Sequence, residues 1–175
     1  MMRTRMLAIV LSVGLLAAGV WFFGIRHGDG PLGESGLGNQ LCFPVGESES
    51  ATIGTMDTLR NSSSSIVKIT DVSLIGARGV ENAGAFLVQG AATSKSGWAF
   101  GNGPFDGEAN RPRLAVDAEL PAKSDDDIGL IVHLTRPDVL AEGYVEGIRI
   151  EYTTGDRRYF LETGPEQILR PGKCF

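Results

Sequence analysis

Two histidines, two cysteines and a few aspartate clusters are the residues from which this 175-residue chain could build chemistry. A nucleophilic site needs a base within hydrogen-bond reach of a hydroxyl or thiol. Such a site could form only around His133, because His27 follows a long apolar run near the N-terminus. No G-x-S-x-G elbow marks a nucleophile, and neither cysteine lies beside a base in sequence. His133 therefore reads as a partly buried strand residue with hydrogen-bonded ring nitrogens. Asp125, Asp126 and Asp127 form one acidic loop, and Asp106 with Glu108 another. A calcium loop would place its carboxylates at alternate positions around a glycine and close on a glutamate, so three adjacent aspartates read as a solvated turn. Copper would want clustered methionine and histidine, and beyond the N-terminal region only Met56 and His133 remain. No catalytic residue, metal ligand or cofactor is assigned, and the chain is expected not to be an enzyme.

Cys42 and Cys174 bracket almost the whole region after the apolar run. Neither belongs to a C-x-x-C pair, so a redox or metal role lacks its motif. A disulfide between them is expected in an oxidising compartment, where closing so long a loop could remove up to about 4 to 5 kcal/mol of unfolded-state freedom. The segment Gly97–Gly107, GWAFGNGPFDG, sets Trp98, Phe100 and Phe105 among glycines. These rings could form a partner contact, as aromatic anchors on rigid turns do, or fold inward and cap one end of the domain. Capping is the favoured reading, since soluble surfaces rarely expose clustered aromatics.

Other short motifs fail on context. Gly28, Gly30 and Gly33 spell G-x-G-x-x-G, but the dinucleotide fingerprint needs a strand before it and a helix after it. Leu161 to Gly164 resembles a wall-sorting signal with Glu162 in place of its proline. Asn61, Ser62 and Ser63 match the glycosylation acceptor pattern, which matters only where secretion follows a eukaryotic pathway.

These residues must be positioned by the elements around them. Met6–Ile25, MLAIVLSVGLLAAGVWFFGI, carries no charge and is long enough to span a bilayer as a helix. Arg3 and Arg5 before it outweigh Arg26 after it, which predicts a cytoplasmic N-terminus and an exported remainder. The competing reading is a cleaved signal peptide; the bulky run Val20–Phe23 past the small residues Ala17–Gly19 favours an uncleaved anchor. The expected organisation is residues 1–5 cytoplasmic, 6–25 spanning the membrane, 26–41 a Gly-rich linker and 42–175 one extracytoplasmic domain. The net charge of −5 disfavours a nucleic-acid partner, since no basic stripe exists to displace counterions from phosphates.

From Leu41 onward short apolar runs recur between Gly, Ser, Asn and Asp clusters, which predicts an all-β sandwich. Strands are expected over Ala51–Arg60, Ile66–Ile75, Ala85–Gln89, Arg113–Leu120, Ile128–Thr135, Tyr144–Thr153 and Arg157–Thr163. The last hairpin is the best marked: Ile148, Ile150 and Tyr152 alternate with Arg149 and Glu151, and Gly155 supplies the turn. Arg136–Gly143 reads as a short helix, with Pro137 in the first position and Gly143 ending it.

The order of anchor, Gly-rich tether, terminal cysteines and seven short strands, with IVKITDVSLIGARGVENAGAFLV as its second and third strands, resembles small single-pass actinobacterial membrane proteins with exported immunoglobulin-like domains. The resemblance implies an antiparallel immunoglobulin-like β-sandwich at the cell membrane and carries over no functional residue. The expected function is a membrane-tethered binding module for an envelope protein partner. The alternatives are an envelope hydrolase or metal-handling protein using His133 and the acidic loops, or a structural spacer.

Overall fold

A computed structural model describes residues 30–33, 40–55, 58–89, 112–124 and 128–174. The apolar run 6–25, His27, Met56, the aromatic residues Trp98, Phe100 and Phe105, and the acidic residues Asp106, Glu108 and Asp125 to Asp127 lie outside them.

Alternation of apolar and polar residues makes these segments strands, and no helix occurs among the described residues. In chain order the strands are β1 (Leu32–Gly33), β2 (Gln40–Pro44), β3 (Ser50–Gly54), β4 (Arg60–Asn61), β5 (Val67–Ile75), β6 (Glu81–Gln89) and β7 (Arg113–Leu114). They continue with β8 (Glu119–Leu120), β9 (Ile128–Thr135), β10 (Gly143–Val145), β11 (Gly147–Thr154), β12 (Arg157–Thr163) and β13 (Glu166–Arg170). The fold is all-β. One four-stranded sheet runs β12-β11-β5-β8, and another runs β3-β9-β6-β7. Their apolar residues merge into one core cluster, with Ile69, Ile148 and Ile150 from the first sheet and Ile53, Leu87, Leu130 and Val132 from the second. A three-stranded sheet, β10-β13-β2, adds Val145 and Leu169 to the same cluster. Its β13/β2 pair is parallel, an exception to the expected antiparallel pairing.

The strands over Ile128–Thr135 and Arg157–Thr163 have the bounds their alternation predicts. Three other predicted strands each break in two, for one physical reason: the chain changes sheets midway, as corners between packed sheets require. Within Tyr144–Thr153 the break falls at Glu146, so that β10 pairs with β13 while β11 pairs with β5. Within Arg113–Leu120, β7 pairs with β6 and β8 with β5. The corner between them turns through Asp117 at φ +66°, a left-handed conformation that Asp tolerates better than most residues. Ala51–Arg60 likewise divides into β3 and β4, the second of which pairs with β1.

β2 and β13 are only five residues each, too short for a clear alternation, and β13 also turns a polar residue inward. Gln167 on β13 is fully buried, and neither of its amide atoms has a hydrogen-bond partner.

Cys42 on β2 and Cys174 form the expected disulfide, with their Cα atoms 5.8 Å apart. The bridge links the first strand of the three-stranded sheet to the segment that follows its central strand, β13. It therefore closes the sheet that joins both ends of the domain.

Residues 30–33, in the stretch read as linker, lie against the domain. Leu32 is only 2% exposed and joins the core cluster. Its amide donates to the Tyr152 hydroxyl at 3.3 Å.

Candidate functional site

The loop that follows β9 is built around a buried cation. Arg136 follows the end of β9 and is 2% exposed. Its Nη1 donates to the carbonyls of Gly46 and Ser48 at 3.0 and 2.9 Å, and its Nη2 to those of Val139 and Ala141 at 2.7 and 3.1 Å. A planar guanidinium has its donors in a fixed fork, so four carbonyls from two loops are held in one geometry. The Arg136 amide adds a bond to the Glu49 carbonyl at 2.8 Å. Its Nε is buried without a partner.

This arrangement replaces the helix expected over Arg136–Gly143. The Asp138 carboxylate accepts the Leu140 amide at 3.0 Å, and the Ala141 amide bonds the Asp138 carbonyl at 3.3 Å. The segment is thus an aspartate-nucleated turn, and Pro137 and Asp138 serve it instead of a helix start. The helix signal misled because the same residue types favour both structures. What decides between them is the pull of Arg136 on the Val139 and Ala141 carbonyls, which a helix would direct elsewhere.

The consequence is an unusual display. Leu140 is 72% exposed at the tip of a turn whose backbone is fixed from beneath. Beside it opens a cleft of about 450 Å³, lined by Glu49, Thr135, Pro137, Asp138 and Leu140 among others. Glu49 and Asp138 are exposed at this cleft, so its rim carries carboxylates next to an apolar knob. Leu140 is the middle of the apolar run Val139–Ala141 in a segment that also spells a helix start, so nothing in the sequence singles it out.

The sequence-derived candidates distribute differently. His133 lies on β9, partly buried on the face opposite the core-facing Val132 and Leu134. Its ring centroid is 4.7 Å from that of Phe86. Its Nε2 is buried with no hydrogen-bond partner, which corrects the expectation that both ring nitrogens are bonded. Burial therefore holds its pKa below the usual histidine value. Its register neighbours are Thr52 and Gly84, so no carboxylate orients the ring from across the ladder. Among the described residues no group of three His, Cys, Asp or Glu converges as a metal site would require.

Asn61 cannot accept a glycan in the folded chain. It is 1% exposed, and its Nδ2 donates to the carbonyls of Ser65, Leu120 and Pro121 at 2.8, 3.1 and 2.9 Å. Its Oδ1 accepts from the Ser63 amide and hydroxyl. The acceptor pattern is the trace of a side chain that organises the NSSSS turn.

A second cleft, of about 300 Å³, lies where the β5/β11 pairing shifts register between Glu151 and Tyr152. It is lined by Thr70, Asp71, Glu151 and Arg158 with the two tyrosines 152 and 159. Comparison with protein-family models, with curated proteins and with solved structures finds no match for this chain. What its fold and site define is a class: a disulfide-closed, all-β domain that presents an exposed leucine on an arginine-bonded turn.

Proposed function

We propose that the chain is a membrane-tethered, extracytoplasmic binding module, folded as an immunoglobulin-like β-sandwich and acting without catalysis. The reading rests on Leu140 standing exposed on a turn that the buried Arg136 holds with partly buried hydrogen bonds. A contact residue that is already ordered loses little conformational freedom on binding, which is the main advantage a rigid scaffold offers an interface. The disulfide supports an address beyond the membrane, where such bridges persist. The carboxylates of Glu49 and Asp138 favour a partner segment that pairs a cation with an apolar residue.

The experiment is quantitative crosslinking capture from native membranes, comparing the full-length chain with Leu140→Arg and Glu49→Lys. Both substitutions fall on exposed side chains, so folding should be retained. Capture of a stoichiometric partner by the parent chain, reduced about tenfold or more by Leu140→Arg, is expected for the loss of a central apolar contact. Equal capture by all three chains would sink the assignment of this turn.

A further inference from the structure

We propose that this chain forms a two-fold dimer in which β12 of one copy pairs with β12 of another. β12 is the outer strand of the sheet β12-β11-β5-β8, and its seven residues make it the longest outer strand among the described residues. An outer strand offers a row of amide and carbonyl groups to any extended chain that can meet it.

Geometry determines which groups are offered. β11 and β12 join through Gly155 and Asp156, with Gly155 at φ +56°, as a two-residue hairpin demands. The closing pair Thr154/Arg157 is the hydrogen-bonded kind, and alternation then aims the amides of Arg157, Tyr159, Leu161 and Thr163 at β11. Those of Arg158, Phe160 and Glu162 point away. The pairing is continuous from Ile148↔Thr163 to Thr154↔Arg157, with no bulge to twist the edge aside and no proline to remove a donor.

The side chains select the partner. Strands protected against self-association commonly carry charge of one sign, which repels a second copy. β12 instead carries Arg158 and Glu162 equally spaced about Phe160. Antiparallel pairing about a two-fold axis through Phe160 sets Arg158 of each copy opposite Glu162 of the other. Phe160 then faces its own equivalent, and Tyr159 faces Leu161 on the core side. In this register the outward amides of Arg158, Phe160 and Glu162 meet as hydrogen-bonded pairs, about six interchain bonds in all. The outward side chains are already arranged for it: the Arg149 guanidinium lies 4.2 Å from the Phe160 ring centroid and 3.6 Å from the Glu162 carboxylate. An isologous contact of this kind closes on itself and stops at two copies.

The test is the association state of the full-length chain in detergent, measured by sedimentation for the parent, Arg158→Glu, Glu162→Arg and the double swap R158E/E162R. The parent should dimerise. Each single reversal should weaken the dimer about tenfold or more, since it opposes like charges twice across the ladder. The double swap should restore it in part, because it also sets an arginine against Arg149 of the same chain. An equimolar mixture of the two single variants should form the heterodimer, because all four facing charges then become complementary; this readout also shows that both variants are folded. A monomeric parent, single variants that dimerise like the parent, or a mixture that stays monomeric would each overturn the proposal.

Discussion

The rings of Phe86 and His133 meet at a centroid distance of 4.7 Å and an interplanar angle of 41°, with the His133 Nε2 buried and unpaired. An imidazolium in that position would have no acceptor for its Nε2 proton. Burial lowers the folded-state pKa below the unfolded value near 6.5, so as pH falls the unfolded chain takes up the proton first. The stability present above that pH is then lost progressively until the folded-state pKa is passed. Thermal melts between pH 8 and pH 5 should show a decline that is smaller in His133→Phe. An identical pH slope in both proteins would remove His133 as its source.

Arg136 should be the least replaceable charged residue among those described. Arg136→Ala strands four buried or partly buried carbonyls, and a loss of about 3 to 5 kcal/mol is expected. Arg136→Lys keeps the charge and forfeits the fork, so it should recover only part of that loss. Urea denaturation of the three proteins measures both effects. If Lys performs as well as Arg, the fixed fork geometry is not what holds the loops.

The disulfide closes a loop of 132 residues between Cys42 and Cys174. The double substitution Cys42→Ser with Cys174→Ser should cost up to about 4 to 5 kcal/mol, the upper range for a long closed loop. Reductant should lower the melting temperature of the parent and leave the double variant unchanged. A parent insensitive to reductant would show that the bridge contributes little.

Gly30 provides a test of the segment that enters the domain. A Cβ there would collide with the Tyr152 hydroxyl and the Tyr159 ring, whereas one at Gly33 meets nothing within 4 Å. Gly30→Ala should destabilise by about 1 to 3 kcal/mol through overpacking, and Gly33→Ala should be close to neutral. Hydrogen exchange at the Leu32 amide, which bonds the Tyr152 hydroxyl, should accelerate in the first variant only.

Burial also pushes the Tyr152 pKa up to about 12, despite the Leu32 amide that favours its ionised form. The unfolded chain ionises near pH 10, so stability fades as pH rises from there towards about 12. Absorbance titration should find one tyrosine ionising only as the fold opens. Tyr152→Phe should abolish that late step.

Alternation along single strands was legible in the amino-acid sequence, because period-two patterning is a local property of residues that face a core. Ile128–Thr135 and Arg157–Thr163 were read to the residue for that reason. The disulfide was legible too, since two cysteines bracketing one domain leave a single internal pairing. Corners were not. Glu146 and the Ala115–Ala118 turn interrupt runs that look continuous, because only the packing of two sheets decides where the chain must cross between them.

The candidate site was the least visible feature. Arg136 and Pro137 spell a helix start as readily as a turn, and the choice rests with carbonyls of Gly46 and Ser48 that lie about ninety residues earlier. The all-β class, the strand faces and the cysteine pairing follow from the order of residues alone, each being a matter of local pattern or count. Which loops meet, which arginine is buried between them and which leucine is left exposed are long-range facts. They depend on backbone groups without side-chain identity, and so only the tertiary structure decides them.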